Sequence, residues 1–209
     1  MDYHAIFQRI RQTVDERAYI VPASFVDPSQ RAAMAEIEAY VQRPDFDPEQ
    51  ARQLAQRLHE QGRIDRVMLL SALHVVACHP RVADWNLAAR LAGEQELVAM
   101  EMGGDRLQDN LASVDRHRGV LAFLRGHYEV ALDHFSRALE RQRSAGNLQN
   151  ILCTLIRMGE LEEASDLLNH VRRVFPRPLV EELDHYVETD PDLALLRTDD
   201  LMLSSQEES

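Results

Sequence analysis

Apolar residues recur along this chain at three- and four-residue spacing, and almost nowhere in the alternation that marks a strand. Tyr3, Ile6, Phe7, Ile10 and Val14 form one stripe over residues 2–20, the spacing that puts side chains on one face of a helix. Val21-Pro22 ends that stretch, because proline disfavours the helical conformation of the residue before it. Asp27-Pro28, Asp47-Pro48 and Asp190-Pro191 each pair an N-cap acceptor with a proline suited to the first turn. They open expected helices near 28–42, 48–61 and 191–197. Gly62 fits a position just past a helix end, and His79-Pro80 closes the helix of 63–78. Further helices are expected at 82–102, 105–125, 127–144, 147–158, 160–174 and 178–188. No Asn-Gly or Asp-Gly hairpin signal interrupts them, so the expected fold class is all-α.

Within this helical series one frame repeats. Gly126-x-Tyr128-x-x-Ala131-x-x-x-Phe135-x-x-Ala138 is followed 33 residues later by Gly159-x-Leu161-x-x-Ala164-x-x-x-Leu168-x-x-Val171, with Pro176 closing. Gly119 supplies a small residue upstream, and Gly62-x-Ile64-x-x-Val67 is a weaker third copy. The glycine turns the chain between two helices. The alanine one turn later lets the pair approach, and the large side chain four residues on packs toward the next pair. This frame resembles the tetratricopeptide repeat, whose period is about 34 residues. A second echo, Met102-Gly103-Gly104-Asp105 and Ser144-Ala145-Gly146-Asn147, recurs after 42 residues and is similar to the longer repeats of bacterial signalling and regulatory proteins. Arg118 and Asp115 depart from the pattern at apolar positions.

The resemblance covers about 82–176. It implies antiparallel helix pairs stacked as a right-handed α-solenoid, because each pair leaves an apolar face that only a neighbour buries. Residues 1–81 would pack on or extend that array, 177–197 would cap it, and 198–209 form an acidic, Ser-rich tail expected to be disordered. The alternative is a helical bundle without repeats. By the family's register the first helix of each pair lines a concave groove, which would carry Arg116, Val120, Phe123, Gln149, Asn150, Cys153 and Arg157. The arginines suit carboxylates, Asn150 a peptide backbone, and Phe123 an apolar contact. Val120 and Cys153 stand where the family's carboxylate clamp has asparagine, which argues against a receptor for chaperone tails. Ordinary solvated surface is the competing reading of both arginines.

Charge then narrows the partners. The chain of 209 residues carries a formal charge of −12, and from residue 178 to 209 ten acids face Arg197 alone. Such a balance argues against nucleic acid, whose recognition rests on clustered cations. All 23 basic residues are arginine, a bias that a GC-rich genome also produces. The N-terminal residues lack a signal peptide's apolar stretch and no window reaches the length of a membrane span, so a cytoplasmic protein without membrane insertion is expected. In the tail, Leu201-Met202-Leu203 is an apolar triplet between acidic pairs. It is a candidate docking element, either for a separate protein or for the chain's own groove.

Candidate chemistry is sparse. His74 and Cys78 have metal-ligand spacing but lack a third ligand nearby, so core packing explains them better. His127 and His134 share a helical face without an activated nucleophile, since neither Ser136 nor Cys153 sits in a recognised motif. No phosphate-cradling glycine loop exists. The expected function is a non-catalytic adaptor or scaffold binding a protein or peptide, without cofactor or metal. The alternative is a ligand- or peptide-sensing module of a bacterial signalling or transcription system. A homo-oligomer through the apolar face of residues 2–20 is a further possibility.

Overall fold

The computed structural model describes residues 3–15 and 28–197. Among these the chain is all-α, with no strand. Ten helices follow in order: α1 (Tyr3–Asp15), α2 (Pro28–Val41), α3 (Pro48–Glu60), α4 (Arg66–Cys78), α5 (Trp85–Met102), α6 (Leu107–Leu124), α7 (Tyr128–Arg141), α8 (Ala145–Met158), α9 (Leu161–Val174) and α10 (Arg177–Thr189). A 3-10 turn, Pro191–Leu193, completes the described chain together with one helical turn over 194–197. Local chemistry sets several starts. The Asp47 carboxylate accepts from the Glu49 and Gln50 amides, Asp65 from Met68, Asp84 from Leu87 and Ser144 from Asn147. Each satisfies an amide that the first helical turn leaves without a partner.

Helices α4 and α5 start at Arg66 and Trp85 rather than 63 and 82, because Asp65 and Asp84 are their N-caps, and the joint after α7 differs as well. Helix α7 ends at Arg141 rather than 144, and α8 begins at Ala145, because Ser144 is an N-cap. Gly146 therefore sits inside the first turn of α8 and makes no joint. Asn147 carries the connection instead. It is 1% exposed, and its Nδ2 donates to the carbonyls of Ala138 and Gln142 at 3.2 and 2.7 Å. Removing that amide leaves the Gln142 carbonyl without this donor, whereas the Ala138 carbonyl keeps the Gln142 amide, so Asn147→Ala should cost about 1–2 kcal/mol in urea denaturation. A change below roughly 0.5 kcal/mol, the range of neutral surface substitutions, would contradict this role.

The repeat frame is packed as its spacing requires. Gly126 and Gly159 turn the chain at φ +75° and +88°, a region open to glycine at little cost. Ala131 and Ala164 are fully buried, and Phe135 and Leu168 lie in the same core. In the weaker copy, Ile64 and Val67 are likewise buried. Asp115 and Arg118, the polar departures, are both paired. Asp115 receives Arg141 at 2.9 Å and His134 at 3.6 Å, and Arg118 reaches Glu96 at 2.6 Å.

Each helix from α2 onward packs on its successor, and α2, α4, α6, α8 and α10 also touch one another in that order. Among the odd-numbered helices, the substantial contacts are those of α1 with α7 and α9. Ile6, Phe7, Ile10 and Val14 enter the largest core there, with Leu132, Phe135 and Leu139 of α7 and Leu168 and Val171 of α9. Arg9 fastens the contact by reaching Asp133 at 2.7 Å and Glu140 at 2.8 Å. The apolar stripe of the first helix is thus consumed within the chain. Two smaller cores, one over α2–α4 and one over α4–α6, continue the packing. The contact between α4 and α5, on either side of residue 81, is among the most extensive of those between the described helices. Among the described residues, no helix is long and apolar enough to cross a membrane.

Candidate functional site

The even-numbered helices carry the residues the sequence singled out. On α6, Ser113, Arg116, Val120 and Phe123 are half-buried between more deeply buried neighbours. Val120 and Phe123 lean on the main core, and the Phe123 ring meets Tyr128 edge-on at 5.5 Å. Both are engaged within the fold rather than free contacts. Arg116 differs. Among the described residues, its guanidinium reaches only the Ser113 hydroxyl, at 3.5 Å. Burial draws its pKa down from the usual arginine value, against the opposing pull of Glu38 on α2 and Tyr186 on α10. Arginine keeps its proton throughout, so a half-buried cation stands on α6.

A polar chain inside the fold supports that position. Gln95 Nε2 donates to Ser113 Oγ at 3.4 Å. The Gln95 carbonyl oxygen lies 2.7 Å from His117 Nδ1, and Ser71 Oγ lies 3.1 Å from His117 Nε2. This geometry assigns the Nδ1–H tautomer, with Nδ1–H donating to Gln95 and the Ser71 hydroxyl donating to Nε2. His74 stacks on His117 with ring centroids 4.3 Å apart and touches Cys78 sulfur at 3.7 Å. His74 is 1% exposed and His117 5% exposed. Burial lowers the His74 pKa to about 4 and raises the Cys78 thiol to about 11. His117 falls well below its usual value through burial, and through His74 and Arg116 beside it. Both rings are neutral at physiological pH. A protonated, buried thiol beside a neutral imidazole is a poor nucleophile, so the pair that looked ligand-like is core packing with a polar lining.

The α8 residues meet a different fate. Gln149 Nε2 donates to Asp190 Oδ2 at 2.6 Å, the Cys153 thiol donates to the same oxygen at 3.7 Å, and Arg157 grips Asp192 at 2.7 Å. Leu193 and Leu196, just beyond, are buried in the main core. The segment after α10 therefore covers the α8 surface that was expected to receive a partner, and Arg157 already has its carboxylate. Asn150 remains half-buried, with its backbone carbonyl accepting from Thr154. The triplet Leu201, Met202 and Leu203 lies outside the described residues.

Cys153, Asp190 and Asp192 bring three ligand-type atoms within 4.8 Å of one another. Their donors and acceptors are committed, however. Asp190 Oδ1 accepts from the Asp192 amide, and burial with the two carboxylates pushes the Cys153 thiol up, which keeps its proton on. A thiol ligates a metal as thiolate, so this cluster reads as a hydrogen-bonded cap. The other histidine pair separates in role: His127 precedes α7 exposed and without a capping bond, while His134 leans on Asp115. Ser136 is 1% exposed and accepts from Arg9.

Sequence reasoning placed Arg116 in the site but missed Glu38, Tyr186, Ser113, Gln95 and His117. Residues 38 and 186 influence the ionisation of residue 116 only through the long-range fold, and no local spacing signals it. No protein-family model, characterised protein or solved structure matches the chain.

Proposed function

We propose that the chain is a non-catalytic adaptor that binds a protein or peptide segment along the face built from α2, α4, α6, α8 and α10. In this reading the helices pair antiparallel and stack as a right-handed solenoid similar to a tetratricopeptide array, with the even-numbered helices inside. The stepwise contacts among those helices carry the reading, because a solenoid packs each repeat on its neighbours and leaves an extended concave surface. The exposed apolar residues Leu97 and Met100, on α5, then lie on the other side.

The test is affinity capture from the native extract with three full-length proteins. Wild type and Leu97→Ser/Met100→Ser should enrich the same partner, and Arg116→Ala/Asn150→Ala should lose most of it. Equal enrichment by all three would overturn the inner-face reading. A second reading, a ligand-sensing regulatory module, is favoured by one feature: a half-buried cation without a carboxylate partner among the described residues suits a compact anionic ligand. It expects a small molecule to raise the melting temperature without any macromolecular partner.

A further inference from the structure

We infer that α1 is an exchangeable element: the groove between α7 and α9 that it fills also accepts the α1 helix of a second copy of this chain, giving a reciprocal dimer. The first support is where α1 sits. Its substantial contacts are with α7 and α9, and it shares none of that kind with α2, which packs on α3 and α4. Arg9 and the Asp133 it grips are 124 residues apart in sequence. Residues 16–27 join α1 to α2, and a stretch of that length reaches up to roughly 40 Å. Nearness in sequence does not seat α1. Complementarity with the groove does.

The second support is how complete that complementarity is. Ile6, Phe7, Ile10 and Val14 belong to one core with Leu132 of α7 and Val171 of α9. Polar contacts fasten the helix along its edge and at its end. Arg9 Nη2 reaches Asp133 Oδ1 at 2.7 Å, and Arg9 Nε reaches Glu140 Oε1 at 2.8 Å. Arg143 Nε donates to the Thr13 carbonyl at 3.0 Å, one of the acceptors that the last turn of a helix leaves open. His170 of α9 pairs with Asp15. An apolar stripe in a groove, flanked by charge that fixes register, is the arrangement by which amphipathic helices are recognised.

A second copy is the occupant that meets these terms, because it carries the same helix. Each contact of α1 is the same whether the groove belongs to its own chain or to the other, so exchange preserves them all and its yield follows concentration. A chain whose α1 leaves uncovers apolar side chains of α7 and α9, and the α1 of the other chain restores the cover. The groove lies on odd-numbered helices, so the dimer leaves the even-numbered ones in place and carries two sets of them.

The absence of lysine makes the exchange readable, since all 23 basic residues are arginine. Full-length Arg9→Lys is prepared in natural and heavy-nitrogen forms, and the two are mixed. The mixture is concentrated to about 1 mM, the effective concentration of a short tether, and treated with a carbodiimide. The reagent couples the new amine to Asp133 or Glu140. Coupled peptide pairs with one light and one heavy member are expected, in a share that rises with protein concentration. Pairs of a single isotope at every concentration would overturn the exchange. A second arm decides the case if the lysine variant couples to nothing. Arg9→Glu sets an acid against Asp133 and Glu140, whereas Asp133→Asn/Glu140→Arg sets a cation against Arg9. Each variant repels its own α1 and accepts the other's. Either alone should run as a monomer by light scattering, and the mixture should run as a one-to-one dimer. A mixture that stays monomeric would overturn the inference.

Discussion

Replacing Phe135 with alanine is expected to lower stability by about 3–5 kcal/mol, the range for truncating a fully buried phenylalanine. The ring is 1% exposed, at the centre of the largest core. Its edge lies directly on Gly119 of α6: a Cβ built there would meet Phe135 Cε1 at 2.5 Å and Cδ1 at 2.6 Å. The loss of Phe135 therefore opens a cavity at the most extensive helix contact in the molecule, that of α6 with α7. It also loosens α1, whose Ile10 and Val14 belong to the same core. The glycine gives an independent check. Gly119→Ala should cost about 1–3 kcal/mol through overpacking, although alanine alone favours helix by about 1 kcal/mol. Combined with Phe135→Leu, which shortens the ring's reach, Gly119→Ala should cost clearly less than the two changes summed. Strict additivity in urea denaturation would mean the ring and the glycine are not in contact as described.

Acidification should destabilise the fold well before the carboxylates titrate. His74 is held near pKa 4 by burial, against 6.5 in an unfolded chain. Between those values the unfolded chain binds the proton and the folded one does not, so stability falls as pH falls. The full effect for His74 is roughly 3 kcal/mol, present above pH 6.5 and lost by about pH 4. His117 acts in the same direction. The groups around the pair are Ser71 and Cys78 on α4, Gln95 on α5 and Arg116 on α6, and none offers a negative charge to a protonated ring. Asp115 and Asp133 titrate below the ordinary carboxylate range, so their losses come at lower pH. Denaturant unfolding at about pH 7 and about pH 5 checks this. His74→Phe, which keeps a ring on His117, should flatten part of the slope. A slope unchanged in that variant would exclude His74 as its source.

Much of the fold was legible because the cues were local. Asp47 precedes a helix whose first-turn amides it caps, and Gly126 and Gly159 sit in a repeat frame that only a turn explains. The joint after α7 was misplaced because Ser144-Ala145-Gly146 contains both an N-cap and a glycine, and the glycine was read as the break. Arg116 was singled out from register alone, and it lies half-buried on α6. The state of its surroundings was not legible, because Gln95, which shares the Ser113 hydroxyl with it, and the charges of Glu38 and Tyr186 come from distant parts of the chain. Arg157 shows the reverse failure. Residue type and register were right for a carboxylate site, but the carboxylate is the chain's own Asp192. That Asp190-Pro191-Asp192 both starts a 3-10 turn and covers α8 is a fact of closure that periodicity does not carry.

The inner face as the binding surface is tested most directly by site-specific photocrosslinking in the native extract. A photoreactive phenylalanine derivative in place of Asn150 on α8 reports the inner face, and the same group in place of Leu97 on α5 reports the outer one. A discrete adduct from position 150, lost when Arg116 is changed to glutamine and absent from position 97, is the expected result. An adduct from position 97 alone would contradict the assignment and move the binding surface to the odd-numbered helices.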